Sequence, residues 1–280
     1  MTTAPLDGSR VSRRAIHILL IGWGIVSALP LLWMLSASVQ STEQIYSGLS
    51  LIPKSFEWSN YTRAWREARV STYFLNSVFY AATATTVVLL LGSVAAFAFA
   101  RLAFPAKRTL YALLMVFLFI PLPGAFIPLY VVLVRLGLVD TRIGYLLPLI
   151  NASLPVAIFI LRRFFEQLPR EVEEAAMVDG AGILRRYWSI ALPLARPALA
   201  TVGVLTVLTT WNEFILALVV FSDSDLMPLQ VGLQNFQGQY FSQYGLMMAA
   251  LTIATVPVIV VYVIFQRQII AGVMSGAMKG

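Results

Sequence analysis

Apolar residues in this chain come in long runs rather than at the spacing of a half-buried helix or strand. Six runs stand out, at residues 15–39, 72–100, 109–134, 143–161, 198–221 and 240–265. Runs of roughly 18 residues or more are long enough to cross a bilayer as helices. The pattern therefore predicts six transmembrane spans and an all-α fold. Proline punctuates several of them: Pro30 in the first, Pro121, Pro123 and Pro128 in the third, Pro148 and Pro155 in the fourth. Residues 40–71 read as a loop with no strong period, 101–108 as a short basic loop, 135–142 as a brief turn, 222–239 as a loop and 266–280 as a polar tail. Residues 1–14 are polar and basic. The run after them is too long for the apolar region of a signal peptide, so it reads as a retained first span.

The connection between the fourth and fifth spans departs from this pattern. From Arg162 to Arg196 it carries six Arg and five acidic residues. Its first half opens at Leu168-Pro169, and proline is pre-set for the first helical position. Glu171, Glu173 and Glu174 follow in the first turns, where the helix dipole favours negative charge. Asp179-Gly180 reads as a stop, because glycine tolerates the left-handed conformation that ends helices. A second short helix is predicted, with Ile183, Leu184, Tyr187, Trp188 and Ala191 on one stripe and Arg185, Arg186 and Ser189 opposite. Pro193 and Pro197 are expected to close it. The loop, residues 166–197, is thus a helix–turn–helix held outside the membrane.

Composition supports a polytopic membrane protein. The chain is 59% hydrophobic and 12% charged, about half the charge of a soluble domain. The formal net charge of +7 does not point to nucleic acid, because the cations sit at the ends of apolar spans. Lys and Arg there mark the cytoplasmic side. The N-terminus, second loop, fourth loop and tail carry 14 of them against 6 in the other three loops. Both termini and the helix–turn–helix are therefore expected in the cytoplasm of a cell that keeps this chain in its plasma or inner membrane.

Chemistry is sparse. There is no cysteine and one histidine, His17, so no thiolate or His-cluster metal site can be built. No G-x-x-x-x-G-K-[ST] occurs, so the chain cannot hold nucleotide phosphates in a P-loop. No resident cofactor and no enzymatic activity are expected. Two features inside the spans are candidates for a transport path. Pro121-Leu122-Pro123-Gly124 frees backbone groups that survive only against protein or a watery cavity, with a packed kink as the alternative. Trp211-Asn212-Glu213-Phe214 places a carboxylate in a span, where it needs a partner or water; Asn212 and Glu213 either line a path or tie helices together. A passage with no energy source of its own, bearing a charged docking element, is the resulting picture.

The spacing in the charged loop resembles the "EAA" loop of ABC importer permeases. In that pattern Glu-Ala-Ala, then a Gly three residues on, then nine residues, lead to Ile-x-Leu-Pro. Here these are Glu174-Ala175-Ala176, Gly180 and Ile190-Ala191-Leu192-Pro193. Asp179-Gly180-Ala181 is similar to the carbohydrate-uptake branch, which usually has Phe where Tyr187 stands. Asn60-Tyr61, Asn76-Ser77, Ala100-Arg101-Leu102-Ala103-Phe104-Pro105, Ile127-Pro128-Leu129-Tyr130 and Trp211-Asn212-Glu213-Phe214 resemble the maltose-type second permease. So does the tail from Phe265, with Met278 where Val commonly precedes Lys-Gly.

The resemblance implies a homologous second permease, two ATPase subunits that use ATP with magnesium, and an extracytoplasmic solute-binding protein. It implies that Glu174 anchors the loop in the ATPase, that Ala175 and Ala176 permit close approach, and that Asp179-Gly180 makes the turn. Tyr187, Trp188, Ile190 and Pro193 would fasten the loop to the permease body. The cargo implied is a sugar or sugar-like solute. A polyol, glycerol phosphodiester or peptide-like cargo is the alternative, and a secondary transporter a more distant one.

Overall fold

A computed structural model of the chain describes residues 8–48, 50–119, 122–240 and 243–277. Among these all regular structure is helical and there is no strand. In chain order the α-helices are α1 (Gly8–Ala37), α2 (Thr42–Tyr46), α3 (Ser59–Arg66), α4 (Val70–Arg101), α5 (Lys107–Val116), α6 (Leu122–Arg135) and α7 (Arg142–Gln167). They continue with α8 (Arg170–Val178), α9 (Ile183–Arg186), α10 (Leu192–Leu194), α11 (Arg196–Trp211), α12 (Ile215–Val220), α13 (Leu229–Tyr240) and α14 (Tyr244–Ala277). Four helices among the described residues are long and apolar enough to cross a membrane: residues 16–37 of α1, α4, α7 and residues 244–266 of α14. The pair Ile183–Leu194 and Arg196–Trp211, bent by 75°, passes the same test only when its two helices are taken together.

The differences from the six-run pattern have local causes. The third run is not one helix. It divides into α5, a 3-10 turn at Phe117–Phe119, and α6, around a Pro-Leu-Pro-Gly stretch whose Pro121 lies outside the described residues. Proline removes a backbone donor and crowds the preceding turn. The fifth run also breaks, into α11 and α12, at Asn212-Glu213-Phe214. The two loops read as structureless hold helices, α2 and α3 in the first and α13 in the other. The segment from Gln266, expected as a polar tail, continues α14 to Ala277.

The described residues form two compact units, one containing the chain up to Val70 together with Asn235–Ile253, the other Ser71–Gln234 together with the residues from Ala254 onward. In the first, α1 presents bare apolar surface, with Trp23 74% exposed, as suits contact with lipid or another subunit. Its C-terminal end is closed by the loop that follows. The buried Asn60 amide donates to the carbonyls of Ser38 and Gln40 at 3.1 and 3.0 Å. The Ser38 and Tyr61 hydroxyls lie 2.7 Å apart. Asn60-Tyr61 therefore satisfies carbonyls that a helix end leaves unpaired.

In the second unit α4, α7 and α11 share one core. Gly92 lets α4 approach α7, since a Cβ there would stand 3.2 Å from the Cβ of Ala157. At one end of the core Tyr80, Tyr145 and Phe221 cluster, with ring centroids 4.8 to 5.9 Å apart. There the buried Asn76 amide donates to the carbonyls of Asp225 and Met227 at 2.8 and 3.1 Å. Ser77 accepts from Leu229 N at 2.8 Å. The Asn76-Ser77 pair thus pins the loop after α12 to α4. At the other end Phe97 meets Phe165 and Tyr187, 5.7 and 5.4 Å away. That end carries the charged loop.

Candidate functional site

The charged loop begins where α7 stops at Gln167. Pro169 sits one residue before α8 rather than inside it, and Arg170 is the first helical residue. Glu173 faces inward and Glu174 outward. Glu173 Oε1 lies 2.8 Å from Arg101 Nε, with the two side chains 9% and 7% exposed. The same guanidinium donates through Nη2 to the carbonyl of Leu168 at 2.6 Å. The last residue of α4 therefore grips both the entry and the first turn of α8. Neither Arg101 nor Glu173 was singled out from the sequence as a site residue. Arg101 did lie in the Ala100–Pro105 motif, and Glu173 is the neighbour of the motif's own glutamate. Ala175 is exposed and Ala176 half-buried.

The turn after α8 is glycine-dependent. Gly180 has φ +79°, and its N–H donates to the carbonyl of Met177 at 3.0 Å while that of Ala181 reaches Ala176 at 2.8 Å. These are the two bonds of a Schellman close. A Cβ at Gly180 would meet nothing within 4 Å, so the constraint is the backbone conformation alone.

The second half of the loop corrects the expected stripe. Tyr187 and Ala191 are buried, but Ile183, Leu184 and Trp188 are exposed, and Arg186, expected on the polar side, is buried. The helix is not regular: α9 passes into a π-helical segment, Tyr187–Ala191, with Leu192 N bonding back to the carbonyl of Tyr187. The wider turn shifts the register from Tyr187 onward relative to α9, and Pro193 accounts for the wider turn. Its ring crowds the carbonyl four residues back, and an i→i+5 turn relieves that clash. Pro193 does not close the helix, which runs through α10 to Ala195; Pro197 then lies in the first turn of α11. Pro193 is exposed and Ile190 half-buried.

Tyr187 is held from two sides. Its ring lies against Phe97, and its hydroxyl is 2.8 Å from Ser93 Oγ on α4. Ser93 Oγ already donates to the carbonyl of Leu89 at 2.5 Å. A serine hydroxyl has one proton, so Tyr187 is the donor in the pair. The result is a charged loop with one face locked to α4 and the other bare. Val172, Met177, Val178, Ile183, Leu184, Trp188 and Leu194 are the large apolar residues left exposed on it, Val178 at 88% and Leu184 at 74%.

A separate cavity of about 300 Å³ lies between α7 and α11. Leu149, Val156 and Val202 form part of its wall, and Ser153, Thr206 and Thr210 contribute hydroxyls. Glu213 also lines it. This carboxylate accepts from Leu216 N at 2.6 Å, Ala217 N at 3.0 Å and the Tyr145 hydroxyl at 3.2 Å. It caps the first turn of α12, satisfying donors that the break would leave bare, and it ties α7 to the break. Asn212 is exposed and donates to the carbonyl of its own helix at Leu208, 2.8 Å away. It is not in the cavity wall, and neither is Gly124, which is exposed in α6. Of Pro123 only the backbone, in α6, is described.

Glu213→Gln keeps the side chain's shape but loses the charge that receives two N–H groups and a hydroxyl. Hydrogen bonds to charged groups are worth about 1.5–3 kcal/mol each against about 1 for neutral ones. A loss of roughly 1–3 kcal/mol in stability is expected, measured by denaturation in detergent micelles. An unchanged midpoint would remove the capping role.

The family model for the inner membrane component of binding-protein-dependent transport systems matches residues 88–274. The chain belongs to that family. It is 37% identical to the diacetylchitobiose uptake system permease protein NgcG of Streptomyces coelicolor, over 94% of this chain and 88% of the relative. It is 35% identical to the trehalose transport system permease protein SugB of Mycobacterium tuberculosis, over 95% of this chain and 96% of that one. A chain in the crystal structure of a bacterial ABC transporter involved in the import of the acidic polysaccharide alginate superposes with a TM-score of 0.84 at 25% identity. The match covers 95% of this permease and 99% of that chain. The apolar helices are thus those of a multi-pass membrane permease.

Proposed function

We propose that this permease is a membrane subunit of an ATP-driven importer for a sugar or sugar-like solute, coupled to separate ATPase subunits through α8 and α9. It crosses the membrane six times, with both termini and the charged loop in the cytoplasm. A homologous permease completes the path, and an extracytoplasmic binding protein delivers the solute. The observation that carries the coupling reading is the bare apolar face of α8 and α9 on a loop whose other face is locked to α4. Exposed apolar patches rimmed by charge mark sites for protein partners. Glu174 and Ala175, both exposed, belong to the free side, while Tyr187 belongs to the locked side. The named cargoes of the relatives, diacetylchitobiose and trehalose, support a glycoside cargo over a peptide-like one. The glutamate-lined cavity between α7 and α11 is the candidate stretch of the path.

The test is Ala175→Trp in the assembled transporter. Ala175 is exposed, so the added ring meets a partner rather than the chain itself; Ala176, half-buried, is a poorer choice. Disrupting a central interface position costs at least about 2 kcal/mol, which is roughly thirtyfold in binding. Insertion should be unchanged, and co-purification of the ATPase and solute uptake should both collapse. Normal uptake by the variant would overturn the docking role. Uptake by this chain without any ATPase, driven by an ion gradient, would favour the secondary-transporter reading.

A further inference from the structure

Beside α8 lies a second and larger recess that the coupling reading does not use. It is an open cavity of about 1040 Å³ bounded by the end of α4, residues 102–106, the start of α5, the end of α7 and the start of α8. Among the described residues six cations line it, Arg101, Lys107, Arg108, Arg162, Arg163 and Arg170, and no acidic residue does. Two of the six are neutralised within the chain: Arg101 by Glu173 and Arg162 by Glu166, each at 2.8 Å. The Lys107 ammonium is spent on the carbonyl of Leu102 at 2.9 Å. Arg108, Arg163 and Arg170 have no carboxylate partner among the described residues.

Apart from Thr109 and the Tyr111 hydroxyl, the rest of the wall is apolar, with Phe104, Tyr111, Met115 and Phe159 its large side chains. The Arg162 guanidinium carbon lies over Tyr111, 3.8 Å from the ring centroid, and its Nε donates to Glu166 Oε1 at 2.8 Å. Arg163 stands 5.9 Å from the Phe159 centroid. Helices α4 and α7 are both membrane spans by length and composition, and their basic ends meet at this recess, which places it at the boundary between bilayer and water. A cationic mouth over an aromatic wall at that depth fits an amphiphile with an anionic head. Guanidinium groups match phosphate oxygens in a paired geometry that an ammonium cannot offer. We propose that this recess binds the phosphate headgroup of an anionic membrane lipid. The aromatic wall favours a lipid over a free phosphate, since a soluble anion has no use for it. Because Arg170 is the first residue of α8, an occupied recess would bear directly on the loop.

The experiment uses the complete transporter, exchanged into nanodiscs of equal phosphatidylcholine and phosphatidylglycerol, with the lipid retained after detergent extraction read by mass spectrometry. The wild-type complex should retain phosphatidylglycerol in excess over the bulk ratio. Each basic side chain near an anionic headgroup contributes about fivefold, so Arg108→Gln/Arg163→Gln/Arg170→Gln should lower that preference by on the order of 100-fold. Arg108→Lys/Arg163→Lys/Arg170→Lys keeps the charge but loses the paired geometry, so its preference should fall between those of the wild type and the glutamine variant, which separates lost binding from lost folding. An undiminished preference in the glutamine variant overturns the proposal. So does loss of the retained lipid on adding inorganic phosphate, which would make the ligand a free anion. A photo-crosslinker replacing Arg163 should label lipid; labelling of an ATPase subunit instead would make the recess a protein contact and overturn it too. The inference rests on the membrane position of α4 and α7, not on docking by α8. Ala175→Trp should therefore abolish uptake with the lipid preference intact.

Discussion

Glu173→Ala is expected to destabilise the permease by about 3–5 kcal/mol, the usual result of removing one partner from a buried ion pair. Glu174→Ala should change stability by no more than about 0.5 kcal/mol, as surface substitutions do. The two glutamates are adjacent, yet one is sealed against Arg101 and the other is exposed. Loss of Glu173 strands a guanidinium that is 7% exposed and keeps only its bond to the carbonyl of Leu168. Replacing both partners with apolar residues, Arg101→Met with Glu173→Leu, should recover most of the lost stability, since matched apolar pairs often equal buried ion pairs. Denaturation midpoints in micelles decide the stability question. Uptake by the reassembled transporter decides whether the charge pair also carries coupling. A double variant that is stable but does not transport would assign it that role. Equal effects of Glu173→Ala and Glu174→Ala on stability would overturn the pairing.

Tyr187→Ala should be nearly as damaging, at about 3–5 kcal/mol, because it opens a ring-sized hole against Phe97. Tyr187→Phe keeps the ring and loses one neutral hydrogen bond to Ser93, for about 1 kcal/mol. The gap between the two variants measures how much of the attachment is packing. Near-equal losses in the two variants, followed by thermal unfolding, would transfer the attachment to the hydroxyl pair.

The sequence carried the two best-formed spans because α4 and α7 are long apolar runs ending in Arg, and nothing interrupts their interiors except prolines. It also carried the turn at Gly180, since a left-handed residue between two amphipathic segments has few substitutes. The inward register of the loop was not legible. Leu184 and Trp188 are apolar, and a helical stripe assigns apolar residues to the core, yet both are exposed in the folded loop. The carboxylate at Glu213 was visible as an anomaly in a span. Its bonds to Leu216 and Ala217 depend on a helix break that hydropathy cannot reveal, because the residues on both sides are equally apolar. Arg101 and Glu173 are 72 positions apart, and a single sequence offers no rule for pairing them.

The bend between Ile183–Leu194 and Arg196–Trp211 has a consequence in mechanics. At 75°, a thrust delivered along α9 and α10 projects only about a quarter of its length onto the axis of α11, the cosine of the bend. Nearly all of the thrust arrives broadside. The joint is thus a bell crank rather than a piston: a push on it moves α11 sideways rather than along its own axis.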